Sequence, residues 1–238
     1  MTTEQIYGRR AVREALRGPR EVRELWVSER ALKAEPWLSE PGLGARHRVM
    51  AERDLTELVG TRDHQGVVAA VEPYRYADGY ELAAVEQPLL VCLDQVTDPH
   101  NLGAVIRSAE GAGATGVIVP AHGSARVTAA VCRASAGAVE HMRLAVVPNL
   151  ARFLGDVKGA DLWVYGAAGE EGAPMWSADL SGGAAFVFGA EGRGLRPRVA
   201  GACDDLVALP VRGHLESLNV SAAAAALLYA ILQRREGA

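Results

Sequence analysis

Residues 89–113 read LLVCLDQVTDPHNLGAVIRSAEGAG, and this stretch decides the fold class. Its first five residues are apolar, which predicts a strand that is buried on both faces. Asp98 is then a good helix N-cap and Pro99 a good first helical residue. The apolar side chains that follow have the spacing of one helix face, so the stretch predicts a strand followed directly by a helix.

The same alternation of strand and helix continues to the end of the chain. Apolar segments that predict further strands lie at residues 117–119, 144–147, 162–165, 185–188 and 206–209. Helical patterns separate them, and residues 218–235 predict a long final helix. This alternation indicates an α/β fold, with a parallel sheet flanked by helices on both faces. In such sheets, ligands bind at the carboxyl ends of the strands.

The first part of the chain predicts a separate, small α/β domain at residues 1–73. Strands are expected at residues 22–27, 47–50 and 66–71, with helical segments between them that include residues 31–38. Residues 74–88 are bounded by prolines and rich in tyrosine and acidic residues, which predicts a linker with room for one helical turn. Residues 89–238 then form the larger domain.

Composition argues against several classes of protein. No stretch approaches the roughly 20 apolar residues of a membrane span, and residues 1–10 hold no apolar signal core, so we expect a cytoplasmic protein. Cys92, Cys132 and Cys203 lie far apart in apolar runs, which predicts buried free thiols. The histidines show no metal-ligand spacing, and we expect no bound metal. The net charge of −4 does not by itself indicate a nucleic-acid-binding protein.

Gly111, Gly113 and Gly116 match the glycine spacing of dinucleotide-binding loops. That fingerprint requires a strand, then the glycines, then a helix. Here a predicted helix precedes the glycines and a predicted strand follows them. The glycines therefore indicate the end of a helix and a turn.

Asn101, Arg107 and Ser108 are the notable polar residues of the first predicted helix of the larger domain. Asn101 and Ser108 share one helix face, and Arg107 lies beside Ser108. An arginine near the carboxyl end of a strand can grip a phosphate or stabilise a developing alkoxide. On physical grounds alone, an exposed arginine in an ordinary salt bridge is the simpler interpretation.

A second group of residues lies in AAFVFGAEGRGL, residues 184–195. A buried strand runs directly into Gly189, Gly192 and Gly194, with the acidic Glu191 among them. Glycines at such a place allow the backbone to approach a ligand closely, and a carboxylate suits a cationic or hydroxyl-bearing ligand. A flexible turn with a solvated glutamate fits the same residues equally well.

A third group lies in LVALPVRGHLESLNVSAAAAALLYAILQRR, residues 206–235. Ser217, Asn219 and Ser221 stand at the start of the predicted final helix, where such residues commonly act as caps. One cap does not need three of them, so a second role is open. The alanine run at residues 222–226 permits close packing of another backbone, as at a helix–helix interface.

The chain resembles the SpoU (TrmH) branch of the SPOUT methyltransferases. The resemblance rests on three segments in the order and at the spacing of that family, which are DPHNLGAVIRSA, FVFGAEGRGL and LPVRGHLESLNVSAAAA. IYGRRAVREAL at residues 6–16 and HQGVVAAV at residues 64–71 resemble the small RNA-recruiting domain of the RlmB-type subgroup. GAAGEE at residues 166–171 resembles a further segment of that subgroup. The resemblance covers nearly the whole chain.

The resemblance implies a C-terminal trefoil knot and a bound S-adenosylmethionine. It places Gly189, Leu209 and Leu218 at this cofactor through backbone atoms, with Ala167 and Val211 nearby. It also implies a homodimer. The interface would contain the last helix and the start of the helix predicted in the segment DPHNLGAVIRSA.

The implied reaction is methyl transfer to a ribose 2′-hydroxyl of RNA. The resemblance gives the leading catalytic role to Arg107, supported by four further residues. These are Asn101, Glu191, Ser217 and Asn219.

The RlmB-like match implies structured RNA as the substrate, namely 23S ribosomal RNA that is methylated at a guanosine. Arginines at the start of the chain are expected to deliver the RNA through phosphate contacts, and they are Arg9, Arg10, Arg13 and Arg17. A tRNA 2′-O-methyltransferase shares all three segments. A non-catalytic RNA-binding factor for ribosome assembly is the alternative from a different class.

Overall fold

The structure is a computed structural model, and it describes residues 2–40, 47–159, 161–169, 172–178, 182–214 and 217–236. The chain packs into two compact units. The first consists of Met1–Arg75 together with Arg126–His141, and the second of Tyr76–Ala125 together with Met142–Ala238. Within the described ranges, none of the helices is both long enough and apolar enough to cross a membrane.

Strands and helices alternate along the chain. The N-terminal elements are β1 (Glu4–Tyr7), α1 (Arg9–Arg17), β2 (Val22–Val27), α2 (Glu29–Ala34), β3 (His47–Val49), α3 (Glu52–Val59) and β4 (Val67–Val71). The later elements are α4 (Gly79–Ala83), β5 (Leu89–Asp94), α5 (Pro99–Gly111), β6 (Gly116–Pro120), α6 (Ala129–Ala134), β7 (Leu144–Val147), α7 (Leu150–Val157), β8 (Leu162–Ala167), β9 (Ala173–Pro174), β10 (Gly183–Gly189), α8 (Pro197–Ala200), β11 (Asp205–Ala208) and α9 (Val220–Glu236).

The first unit contains a four-stranded sheet in the order β1-β4-β2-β3. The buried strand β4 is antiparallel to β1 and β2, whereas β2 and β3 run parallel. The three strands predicted in this part of the chain are confirmed, and β1 is an addition that the sequence pattern did not predict. The helix predicted at residues 31–38 is instead α2 followed by a 3-10 turn at Pro36–Ser39. Pro36 interrupts the helix because it has no amide hydrogen to donate.

Residues 126–141, between β6 and β7, pack with the N-terminal residues of the first unit. The buried guanidinium of Arg20 forms an ion pair with the buried carboxylate of Glu140, and its Nε donates to Glu140 Oε2 over 2.8 Å. Burial alone lowers the pKa of Arg20, but the hydrogen bond and charge of Glu140 raise it above its ordinary value. Arg133 adds an ion pair of 2.8 Å with Asp63. Because a buried charge that loses its partner is strongly destabilising, Arg20 and Glu140 tie this segment to the unit.

The second unit contains a sheet in the order β7-β6-β5-β10-β8-β11-β9, with every pair of neighbours parallel. Alternate side chains of its central strands, such as Leu90 and Cys92, pack in one buried cluster with Leu82 of α4, Phe153 of α7 and Val199 of α8. The intervening side chains point to the other face, where α9 packs against α5 and β10. The predicted α/β fold, with a parallel sheet flanked by helices, is confirmed.

The glycines at residues 111–116 form a helix end and a turn, as predicted. Helix α5 ends at Gly111, Gly113 has a φ of 70°, and β6 begins at Gly116. The order of elements is therefore the reverse of that in a dinucleotide-binding loop.

All three cysteines are free thiols, as predicted, and two of them are buried. Cys203 is only half-buried, but burial still raises its pKa to about 11, and it raises the pKa of Cys132 to about 12. Both thiols are therefore protonated at neutral pH and poorly reactive.

A buried carboxylate joins the end of β5 to the loop that follows β10. Asp94 is fully buried, and its Oδ2 accepts a hydrogen bond of 2.9 Å from the backbone nitrogen of Arg196. Asp94 Oδ1 accepts a second one of 2.8 Å from Arg196 Nε, and the Arg196 Nη2 lies 2.6 Å from the same oxygen. Both carboxylate oxygens are thus satisfied by one residue, which fixes the C-terminal end of the glycine-rich loop.

Replacing Asp94 with asparagine is expected to lower the free energy of unfolding by about 1–3 kcal/mol. The new amide nitrogen is a donor and faces donors of Arg196, so at least one buried hydrogen bond is lost. Denaturant unfolding followed by circular dichroism measures the change. The exposed Asp161 offers a matched control, Asp161→Asn, with an expected change below about 0.5 kcal/mol. Equal stability of Asp94→Asn and the wild type would contradict the assigned role.

Candidate functional site

One cavity of the second unit gathers most of the residues that the sequence singled out. Its volume is about 350 Å³, and it lies at the carboxyl ends of β8, β10 and β11, next to the start of α9. The five residues predicted at the cofactor all line it, and they are Ala167, Gly189, Leu209, Val211 and Leu218. Glu191 and Ser217 line the same cavity. The position agrees with the general location of ligands in parallel sheets.

The loop after β10 needs glycine for its shape. A Cβ atom added to Gly189 would overlap the backbone of Gly194 and Leu195. Gly192 and Gly194 have φ angles of 74° and 63°, a region that favours glycine. The Ala190 carbonyl accepts a hydrogen bond of 2.9 Å from the amide of Gly194, which closes the loop on itself. The loop therefore forms one wall of the cavity, and its shape depends on glycine.

Two apolar side chains at the cavity are unusually exposed. Val211 exposes 39% and Leu218 45% of its surface, whereas Val207 and Leu227 in the same lining are buried. An apolar ring that enters the cavity would cover these side chains and gain the free energy of removing them from water. The cavity thus combines an apolar wall with a backbone wall made of glycines.

Asn219 links residues of all three sequence segments. Its Nδ2 donates to Asn101 Oδ1 over 3.1 Å and to Glu191 Oε2 over 3.2 Å. Its Oδ1 accepts hydrogen bonds from the Ser221 backbone nitrogen (2.9 Å) and hydroxyl (2.6 Å), which cap the start of α9. The capping interpretation is therefore confirmed for the amide oxygen of Asn219, while its amide nitrogen contacts Asn101 and Glu191.

Arg107 is not among the residues that line the cavity. Its side chain is exposed on α5, and it forms no hydrogen bond or ion pair with another described residue. The salt-bridged arginine that seemed simpler from the sequence is therefore not found in the described ranges. Ser108 is turned to its own helix, because its hydroxyl donates to the carbonyl of Ala104 over 3.1 Å.

Several residues of the site were not predicted. Ala168 and Gly169 line the cavity next to Ala167, in the segment noted for its resemblance to a known subgroup; Glu170 and Glu171 of that segment lie outside the described residues. Asp94 and Arg196, which hold the glycine-rich loop, were also missed. An acid that ends an apolar strand was the available signal for Asp94.

Comparisons with known proteins give the chain a family. A family model described as the SpoU rRNA methylase family matches residues 88–229, and one described as RNA 2'-O ribose methyltransferase substrate binding matches residues 5–77. The 23S rRNA (guanosine-2'-O-)-methyltransferase RlmB of Pseudomonas putida is 41% identical over 243 residues, which cover 98% of this chain and 97% of that protein. Its counterpart of the same name in Vibrio cholerae is 39% identical over 246 residues, which cover 99% of this chain and 98% of that protein.

A solved structure agrees with these matches. The SpoU methyltransferase AviRb from Streptomyces viridochromogenes, in complex with the cofactor AdoMet, superposes with a TM-score of 0.79 at 27% identity. The superposition covers 98% of this chain and 91% of that one. The chain therefore belongs to the SpoU rRNA methylase family.

Proposed function

We propose that the protein transfers the methyl group of S-adenosylmethionine to the ribose 2′-hydroxyl of a guanosine in 23S ribosomal RNA. The observation that carries this proposal is the similarity to 23S rRNA (guanosine-2'-O-)-methyltransferases along nearly the full length of both chains. The cavity at the carboxyl ends of β8, β10 and β11 is the proposed cofactor site. Because ribosomal RNA is the proposed substrate, we also propose that the enzyme acts in the cytoplasm.

The residues present fit S-adenosylmethionine. The cavity is within the size range of small-molecule sites, about 300–1,000 Å³. Val211 and Leu218 supply apolar surface for the adenine, and the backbone at Gly189 approaches closely because no side chain intervenes. The carboxylate of Glu191 suits a cationic ligand. When bound, S-adenosylmethionine supplies a methyl group on a positively charged sulfur.

The catalytic work of the chain is to hold the ribose hydroxyl and to stabilise the oxygen as it loses its proton. We assign this stabilisation, or a grip on the adjacent phosphate, to Arg107, whose guanidinium has no competing partner among the described residues. Arginine stays protonated in proteins, so a phosphate oxygen or water is a better proton acceptor. Asn219 holds Asn101 and Glu191 in place through its amide nitrogen, and Ser217 lines the same cavity as Glu191.

We infer that the C-terminal part of the chain is threaded as a trefoil knot. The strand order supports this, because β10 lies between the earlier strands β5 and β8. The cavity walls also come from segments after β8, β10 and β11, as expected where loops wrap around one site. An experimental map traced through the second unit tests the threading.

The RNA is proposed to be recruited by the first unit. The family model for substrate binding falls on this part of the chain. Among the arginines expected to help, Arg10 and Arg17 are exposed, whereas Arg13 is half-buried. Arg9 is held by an ion pair of 3.1 Å with Glu35.

Incubation with radiolabelled S-adenosylmethionine and total RNA from a strain that lacks the enzyme tests the proposed function. Label is expected in 23S RNA, at a guanosine 2′-oxygen. Label in tRNA would favour the tRNA enzyme instead, and no label would favour a binding protein. Gly189→Ala is expected to abolish transfer, because its Cβ would overlap the loop. Gly155→Ala, at a helical glycine with open space around it, is the matched control and should be fully active.

Arg107→Lys is expected to lower kcat about tenfold or more, with affinity for S-adenosylmethionine unchanged. Lysine keeps the charge but loses the planar fork that can contact two oxygens at once. Single-turnover kinetics and calorimetric titration separate the two quantities. Arg152→Lys, at an exposed arginine of α7, serves as the control. A near-normal rate for Arg107→Lys would show that the fork is unnecessary and would refute the assigned role.

A homodimer that uses α9 is also proposed. Ala224, Leu227, Leu228 and Ile231 are buried in the protein's own core, whereas Ala222, Ala226 and Tyr229 form an exposed stripe on the same helix. Ala226→Arg is expected to give monomers in sedimentation velocity because it puts a bulky charge into the interface. Gly155→Arg places the same side chain on the exposed face of α7 and should leave the dimer intact. A monomeric wild type, or a dimeric Ala226→Arg variant, would contradict the proposal.

A further inference from the structure

The first unit carries an open groove lined by basic side chains. One cavity of about 640 Å³ is lined by Arg9, Arg30, Arg53 and Arg62, and its only acid among the described lining residues is Glu52. A neighbouring cavity of about 860 Å³ shares Arg30 and Glu52 with the first, and its other charged lining residues among those described are Glu29 and Lys33. The two cavities are therefore parts of one groove, which we call the arginine groove.

The sequence His64-Gln65-Gly66 builds the floor of the arginine groove. His64 is only 4% exposed, and its Nδ1 accepts a hydrogen bond of 2.9 Å from the Gly66 amide. The ring proton is therefore on Nε2, which donates to the hydroxyl of Thr56 over 2.9 Å. The Thr56 hydroxyl in turn donates to the backbone carbonyl of Glu52 over 2.9 Å. This chain of hydrogen bonds fixes α3 to the turn.

Gly66 and Gln65 make the turn possible. Gly66 has a φ of 77°, and a Cβ there would overlap the hydroxyl of Ser28. Gln65 also has a positive φ, of 55°, which is uncommon for a residue with a side chain. Its carbonyl accepts from Arg9 Nε over 3.1 Å, and its side-chain oxygen accepts from the Arg9 amide over 3.2 Å. The strained turn thus holds Arg9 as a rigid wall of the groove.

The remaining arginines are available to a ligand. Arg30 and Arg62 are exposed and form no hydrogen bond or ion pair with any residue that the structure describes. Among the residues that the structure describes, the side chain of Arg53 pairs only with Asp54, and this exposed ion pair of 3.2 Å contributes little. In a protein with a net charge of −4, uncompensated arginines around one rigid groove indicate a polyanionic ligand.

We propose that the arginine groove binds the sugar–phosphate backbone of the RNA substrate, with Arg30 and Arg62 as its phosphate contacts. This assignment rests on the proposed function. A strand fits better than a small phosphate compound, because the groove continues past Arg30 to Lys33 and to Val49, which is 55% exposed. A strand would place successive phosphates on Arg62, Arg30 and Lys33 and could set a base against Val49.

The double variant Arg30→Ala/Arg62→Ala tests the groove. Its KM for in vitro transcribed 23S RNA is expected to rise about tenfold or more, with kcat at saturating RNA unchanged. In fluorescence anisotropy with the same RNA, the slope of log K against log salt should become shallower by about 1.4 to 2. The charge-matched control is Arg75→Ala/Arg152→Ala, which removes two exposed arginines outside the groove and should leave both quantities unchanged.

Glu52→Gln provides a test in the opposite direction. Removing the charge of Glu52, which lines both cavities of the groove, should strengthen RNA binding by about twofold or more, a gain that a misfolded variant cannot mimic. Wild-type KM and salt slope in the double variant would overturn the proposal, as would weaker binding by Glu52→Gln. Methyl transfer by the wild type is read in the same assay. Its absence would refute the proposed function, whereas its presence with an unchanged double variant refutes only the arginine groove.

Discussion

The ion pair between Asp94 and Arg196 is the interaction on which the proposed cofactor site depends. A carboxylate at the end of a buried strand is costly unless each oxygen has a partner. Here the backbone and the side chain of a single residue supply all of them, at 2.6–2.9 Å. The glycine-rich loop is thereby held between β10 at one end and Arg196 at the other. Its close return past Gly189 needs this anchor, because a loop of small residues has little packing of its own to hold it.

The fold of the second unit was predictable because its information is local. Buried parallel strands are short apolar runs, and the residues between them have helical spacing, so each element could be assigned by itself. The membership of residues 126–141 in the first unit was not predictable in this way. The partners Arg20 and Glu140 are 120 positions apart, and neither stands out in its own segment. Strand β1 was missed for a related reason. Glu4–Tyr7 has only one buried residue, so it lacks an apolar run, and it forms a strand by pairing with β4.

The family resemblance predicted more residues of the cavity than the physical patterns of the sequence could. Glycines after a strand and a polar helix start indicate a ligand site, but they do not choose between a cap and a catalytic residue. Asn219 shows that a capping side chain keeps other atoms free for a second role. A side-chain amide has an acceptor and a donor, and the structure uses the first for Ser221 and the second for Asn101 and Glu191. Arg107 is different, because its exposed side chain has no partner among the described residues that would fix its geometry.

Net charge was a poor guide to nucleic-acid binding because the range of electrostatic interactions in salt is short. At physiological ionic strength, the screening length is about 8 Å, so an RNA strand in a groove responds to the side chains that line it and hardly to the protein's total charge. The arginine groove holds its guanidinium groups on α1, α2, α3 and the His64 turn, within one small unit. Acidic residues elsewhere on the surface reduce non-specific attraction to other polyanions without cancelling this local field. An acidic protein with one basic groove can therefore be more selective for where RNA binds than a uniformly basic one.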